Sequence, residues 1–337
     1  MNTSGLKKAA GVTVFLVLLL AAFSWYGWQR YQQFLRQPLT VGPGGSVLNV
    51  DPGMSGRAVI ARLAELRLSE NNWQWRLLLR LDPIVCKAGE YRLEPGIRPQ
   101  GLLQKLQRGD VIRYSFTIVE GWTHRQLLDA LQADPVLGPG LKDRMKEEGW
   151  QGPANGQDLL EGAYLPETYV FTRSENARDV LAQAARAMQS ALAEAWARRT
   201  DDHPARTPYE LLILASIIEK ETARNEERAQ ISGVFVRRLK IGMRLQTDPT
   251  VIYGLGNTFD GDIRRRDLGA DTPYNTYTRI GLPPTPIAMP GRASLLAAAQ
   301  PAAGSALYFV ADGKGGHTFS DSLEQHQLAV ERLLDKK

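Results

Sequence analysis

Residues 209–253 read YELLILASIIEKETARNEERAQISGVFVRRLKIGMRLQTDPTVIY, and the first third of this stretch has the composition of a core helix. At about 100° per residue, Leu214, Ile217 and Ile218 fall within about 60° of Glu221, so this carboxyl sits amid the apolar face. Glu219, two residues earlier, points the opposite way. A carboxyl surrounded by Leu and Ile loses hydration that its charged form needs, so its pKa rises and it holds a proton near neutrality, as a general acid must. Taken alone, the same residue also fits a structural acid paired with Arg224 or Arg228.

Working outward in the C-terminal direction, Asn225 followed by Glu226 and Glu227 predicts an N-cap with acids in the first turn of a second helix. Ile231, Val234, Phe235 and Leu239 then form its core face. GMRLQTDPTVIYGLG at 242–256 breaks that helix, and Gln246, Thr247 and Asp248 are caught between Leu245 and Val251. Such a polar run is either a capping turn, with Asp248 and Thr250 bonding backbone, or a loop that faces a substrate. TPYNTYTRIGLPPTPIAMPG at 272–291 is too rich in proline and glycine for regular structure and predicts a long ordered loop. LYFVADGKGGHTFS at 307–320 predicts a β-hairpin, whose GKGG lacks the GxxxxGK[ST] spacing of a phosphate loop. A tail helix is expected over 323–334.

In the other direction, residues 141–208 read as mostly helical, with an Ala-rich amphipathic run over 177–199. Within them, LLEGAYLPETYVF at 159–171 reads as loop or strand because of Pro166 and its aromatics. Further upstream lies an internal repeat. VDPGMSGRAVIARL at 50–63, LEPGIRPQGLLQKL at 93–106 and VEGWTHRQLLDAL at 119–131 each place apolar residues six, seven and ten positions after a glycine. Each copy predicts a strand end, a glycine turn and an amphipathic helix. Between Lys8 and Arg30 every residue is uncharged, and about 20 helical residues span the roughly 30 Å hydrocarbon core of a bilayer. Trp25, Tyr26 and Trp28 follow the apolar run as interfacial aromatics do, and no A-x-A cleavage site does, so an uncleaved single-pass anchor is expected. QPLTVGPGGS at 37–46 reads as a Pro/Gly linker.

Composition narrows the remaining chemistry. The chain has 337 residues, enough for two domains, and a net charge of +5 with its basic residues scattered, which gives no nucleic-acid motif. One cysteine, Cys86, excludes an internal disulfide, and four histidines (124, 203, 317, 326) lack metal-ligand spacing. No metal and no cofactor are expected, and catalysis falls to oxygen chemistry.

Four motifs, ASIIEKET, RLKIGMRLQTDPTVIYGLG, TPYNTYTRIGLPPTPI and LYFVADGKGGHTFS, resemble in sequence and spacing the YceG-like family of endolytic murein transglycosylases. The resemblance implies an α+β fold: a transmembrane helix over 9–29 after a cytoplasmic 1–8, a linker over 30–45, a LysM-like module over 46–115 and a lysozyme-like catalytic domain over 116–337. It places the catalytic acid on Glu221 and the substrate-side candidates on Gln246, Asp248, Tyr274, Asn275 and Tyr277. Glu167 stands where the family's E-G-x-x-x-P-D-T-Y segment has Asp. The implied reaction is non-hydrolytic cleavage of the MurNAc–GlcNAc bond to 1,6-anhydro-MurNAc ends, by a single-pass enzyme of the cell inner membrane with its catalytic domain in the periplasm. The implied partners are peptidoglycan glycan strands, the membrane and other wall-synthesis proteins, with no nucleic acid. Two other readings stay open: a two-carboxylate glycosidase using Glu221 and Asp248, and a non-catalytic wall-binding scaffold.

Overall fold

A computed structural model describes residues 3–147 and 160–335. Residues 1–2 and 336–337, and residues 148–159 of the stretch read as mostly helical, lie outside the described residues. The chain mixes helix and strand and divides into two compact units, Met1–Tyr114 with Thr172–Ser174, and Ser115–Phe171 with Glu175–Lys337.

The first unit begins with helix α1 (Thr3–Arg36), in which Gly11–Arg36 is long and apolar enough to cross a membrane. The helix does not stop where its apolar run stops. Tyr31 and Phe34, one turn apart, enter the core of the unit together with Leu39, and the Phe34 ring meets Trp75 edge-on at 5.1 Å. Part of the expected 30–45 linker is therefore helix, and part of it is core, because this turn carries an apolar edge that the module buries. Strand β1 (Ser46–Val50) pairs antiparallel with β2 (Gly89–Leu93), Leu48 opposite Tyr91. Alternate residues Leu48, Val50, Tyr91 and Leu93 face inward, the period of two that a half-buried strand requires. Helices α2 (Gly56–Glu65) and α3 (Trp73–Leu81) connect the strands, and α4 (Pro99–Arg108) follows β2.

The repeat is visible in the backbone. Gly53, Gly96 and Gly121 all take positive φ (79°, 88° and 75°), a conformation that glycine adopts without strain. A helix follows each of them, and Val59, Ile60 and Leu63, then Leu102, Leu103 and Leu106, then Leu127 and Leu131, are buried. The first two copies belong to the first unit. The third, β3 (Tyr114–Thr117) leading to α5 (His124–Ala133), belongs almost wholly to the second, where β3 pairs with β4 (Thr168–Phe171).

The second unit is built around α8 (Pro208–Glu221), which packs against α7 (Ala177–Ala197), α9 (Asn225–Lys240) and α12 (Arg292–Ala299). Thr207 caps α8 by accepting the Glu210 N–H, and Pro208 occupies the first helical position, where no donor is needed. Every residue from Leu211 to Ile218 is buried, so this helix is covered on all sides. α9 follows after a short turn in which Thr222 Oγ1 accepts the Arg224 N–H at 3.0 Å. Arg224 holds the N-cap position without a side-chain capping bond, whereas Asn225, expected there, is already helical and uses its side chain to bind Arg228. Helix α6 (Leu141–Glu147) precedes β4, and α10 (Asp248–Leu255) and α11 (Arg265–Gly269) lead to the irregular 272–291 segment, which is well buried around Ile287–Met289. It is tied to α8 where the Ile287 N–H donates to Ser216 Oγ at 3.0 Å. The hairpin β5 (Tyr308–Ala311) and β6 (His317–Ser320) and helix α13 (Leu323–Leu334) close the chain.

Candidate active site

Glu221 is the last residue of α8, where the covered helix runs out. It opens on a cleft of about 490 Å³ whose walls include Arg238, Gln246, Thr247, Asp248, Tyr277, Tyr308 and His317. Burial pushes the Glu221 carboxyl up to about 7. The Thr247 hydroxyl, which donates to Glu221 Oε1, acts against that rise, as do His317 and Arg238, while Asp248 adds to it. Among the described residues no cation forms an ion pair with Glu221. Arg224 engages Glu226 and Glu227, and Arg228 takes Glu219.

Glu219 is the contrasting case. Its side chain is only 4% exposed, yet Arg228 Nη2 lies 3.0 Å from Oε1 and the Gly291 N–H donates to Oε2 at 2.9 Å. The role of buried, neutralised acid thus falls to Glu219. Helical geometry does aim the two carboxyls apart, but α8 is buried all round, so what separates them is the partner and not the burial.

The turn after α9 combines both readings of the polar run. Gln246 takes φ +51°, uncommon for a side-chain-bearing residue, and about this twist Leu245 and Thr247 are buried while Gln246 and Asp248 are exposed. Thr247 N–H donates to Thr276 Oγ1 at 3.0 Å, and Thr250 Oγ1 donates to the Thr247 carbonyl at 2.8 Å, which closes the turn. Asp248 departs from the expected backbone capping: its Oδ1 accepts the Tyr277 hydroxyl at 2.5 Å. Burial first, and then this bond, raise the Tyr277 phenol above its ordinary range.

Gln246, Asp248 and Tyr277 therefore share the cleft with Glu221, but Tyr274 and Asn275 do not line it. Asn275 is 1% exposed, and its Nδ2 donates to the carbonyls of Asp267, Leu268 and Ala270 while Oδ1 accepts the Tyr277 N–H. Tyr274 packs edge-on against Tyr253 at 4.9 Å and shares a hydrogen bond with Thr285. Both hold the loop that presents Tyr277. Glu167 forms an exposed ion pair with Arg292 at 2.7 Å.

Three contributors escaped the sequence reading of single residues. Thr247 was part of the polar run, but nothing local marks its hydroxyl as the partner of Glu221. Arg238 lies three and four residues after Phe235 and Val234, on the buried face of α9, and that placement was the available signal. It is 6% exposed, donates to the carbonyls of Leu307 and Leu245 at 2.6 Å each, and stands over the Tyr308 ring. His317 is held by Glu227, which accepts its backbone N–H at 3.1 Å and bonds Nδ1 at 2.7 Å. No local pattern announces a pair 90 residues apart. Among the described residues no group of three His, Cys, Asp or Glu side chains could hold a metal ion.

The YceG-like family model matches residues 48–332. A Bacillus subtilis protein named endolytic murein transglycosylase is 30% identical over 311 residues, covering 86% of this chain and 85% of the relative. A Streptococcus pneumoniae protein of the same name is 28% identical over 284 residues, 74% of this chain, and the chain spans about half of that relative, 51%. The crystal structure of a yceG-like protein from Listeria monocytogenes superposes with a TM-score of 0.52 at 29% identity, over 85% of this chain and 99% of the other.

Proposed function

Because the chain belongs to the YceG-like family, we propose that it is a lytic transglycosylase that cleaves peptidoglycan glycan strands with Glu221 as its acid. One observation carries this reading: a carboxyl with no ion-pair partner among the described residues, pushed up to about 7, opens on a cleft large enough for sugar rings. Glu221 protonates the oxygen that links N-acetylmuramic acid to N-acetylglucosamine, and the C1–O bond breaks. The muramyl 6-hydroxyl attacks C1, and the Glu221 carboxylate takes its proton, which restores the acid and leaves a 1,6-anhydro end. No water enters, so a second carboxylate is not needed, and the substrate acetamide can stabilise the cationic carbon.

Gln246 and Asp248, exposed in the cleft, take the substrate's polar groups, and Tyr277 orients Asp248. Tyr274 and Asn275 shape the loop behind them. His317, its Nδ1 engaged by Glu227, offers Nε2 to the bound strand. Helix α1 is the single-pass anchor in the cell inner membrane, with the catalytic unit, of lysozyme-like type, in the periplasm. The β1-α2-α3-β2 order supports a LysM-like role for the first unit on glycan. Cleavage of strands beside wall-synthesis proteins would set strand length.

The test is mass spectrometry of products from purified glycan strands. Wild type is expected to release anhydro ends, and Glu221→Gln to lose activity by on the order of a thousandfold. Reducing ends would favour the Glu221–Asp248 hydrolase, and undiminished cleavage by Glu221→Gln would remove the assignment.

A further inference from the structure

Helix α1 is exposed along its apolar run and enters the first unit's core at Tyr31. Trp28, the last of the three aromatics after the apolar run, precedes Tyr31 by three residues and Phe34 by six, about 4.5 and 9 Å along a helix. The headgroup layer on one side of a bilayer is roughly 5–7 Å thick. With the aromatics at the interface, no spacer remains to lift the first unit off the membrane surface.

Helix α3 is the part of that unit joined to the emerging anchor by ring packing, through Trp75 against Phe34. Trp75 and Leu78 point inward. The opposite face carries Trp73, Arg76 and Arg80, spaced three and four residues apart and therefore on one side of the helix, and Leu81, eight residues after Trp73, borders it. Trp73 is 46% and Leu81 62% exposed, and Val85 just beyond is 81% exposed. Asp82 is the one acid between Trp73 and Lys87, against three bases, Arg76, Arg80 and Lys87. A short helix with tryptophan and leucine beside arginines is suited to a boundary between apolar chains and anionic headgroups.

We infer that the outer face of α3 lies on the membrane surface, with Trp73, Leu81 and Val85 in the acyl boundary and Arg76 and Arg80 on anionic phospholipid headgroups. This rests on reading α1 as a membrane anchor. The first unit then has two attachments, the spanning helix and this face, and the second fixes how far the module tilts about the first.

The test uses the full chain in vesicles of phosphatidylglycerol and phosphatidylcholine, with Cys86→Ser to remove the single native thiol. A fluorophore is attached through Leu81→Cys or, as a control, Leu18→Cys within the apolar span, and quenched by doxyl-labelled lipid. Quenching at both positions is expected. Arg76→Gln with Arg80→Gln should shift the balance at position 81 toward the lifted state by roughly fivefold per arginine, and only where phosphatidylglycerol is present. Quenching at 18 with none at 81 would overturn the surface contact and leave the anchor standing. No quenching at either position would overturn the anchor reading itself.

Discussion

Glu219 and Glu221 are two residues apart on one buried helix, and their surroundings divide two tasks between them. Arg228 and the Gly291 N–H both engage Glu219, which fastens α8 to its neighbours. Among the described residues Glu221 is bonded by a threonine hydroxyl and by no cation, so desolvation governs it and its pKa rises from 4.5 to about 7. The pH consequence follows in sign. Activity that needs the protonated acid falls as pH rises through about 7, and Thr247→Val, which removes a bond that favours the carboxylate, is expected to move this fall upward. The pH profile of kcat/KM measures it, and a downward move would contradict the role given to Thr247. Stability obeys the same linkage. Between 4.5 and 7 the folded chain holds a proton that the unfolded chain releases, so Glu221 costs stability as pH climbs through that window. Glu221→Gln should accordingly gain about 3 kcal/mol more at pH 8 than at pH 4, read from denaturant midpoints. The sequence made this residue legible because its neighbours within one helical turn are apolar. It could not make the second partner of Glu219 legible, since Gly291 lies 72 residues away.

Elements with strong local signals were the readable ones. The Ala-rich run, the hairpin around GKGG and the tail helix each carry their period and their turn residues within a dozen or so positions, and the structure has α7, β5–β6 and α13 there. The 272–291 segment was legible as an ordered loop but not in what its side chains do. Tyr-Asn in a cleft-lining motif suggested hydrogen bonds to sugar, whereas Asn275 spends both donors on the carbonyls at the end of α11 and its acceptor on Tyr277 N–H. A buried amide with three carbonyl partners is a brace. Asn275→Ala leaves those carbonyls without donors, and a loss of about 3 kcal/mol in stability is expected. The signature is a lower thermal midpoint, with KM for glycan changed less than by Gln246→Ala. A KM change as large as that of Gln246→Ala, at unaltered stability, would return Asn275 to the substrate.

At the scale of the whole chain, the glycine-turn repeat was readable three times over, yet its copies do not share one unit. Periodicity reports which face of a helix is apolar and is silent on which core receives it. The same limit explains the stretch before the repeat. Pro38 and Pro43, with Gly42, Gly44 and Gly45, gave 30–45 the look of a tether. Tyr31, Phe34 and Leu39 are in fact members of the first unit's core, packed with Trp75. The end of α1 is therefore part of the first unit's core, and the place where the chain is cut should matter. A soluble fragment that starts at residue 30 keeps these three side chains, while one that starts at residue 46 exposes the surface of Trp75 that Phe34 covers. Removing a buried aromatic alone costs about 3–5 kcal/mol, so the shorter fragment should unfold its first unit at much lower denaturant concentration, followed by Trp75 fluorescence with Trp73, Trp122, Trp150 and Trp196 replaced by Phe. Equal midpoints for the two fragments would mean that the end of α1 only rests on the module, and that residues 30–45 act as the tether their composition suggests.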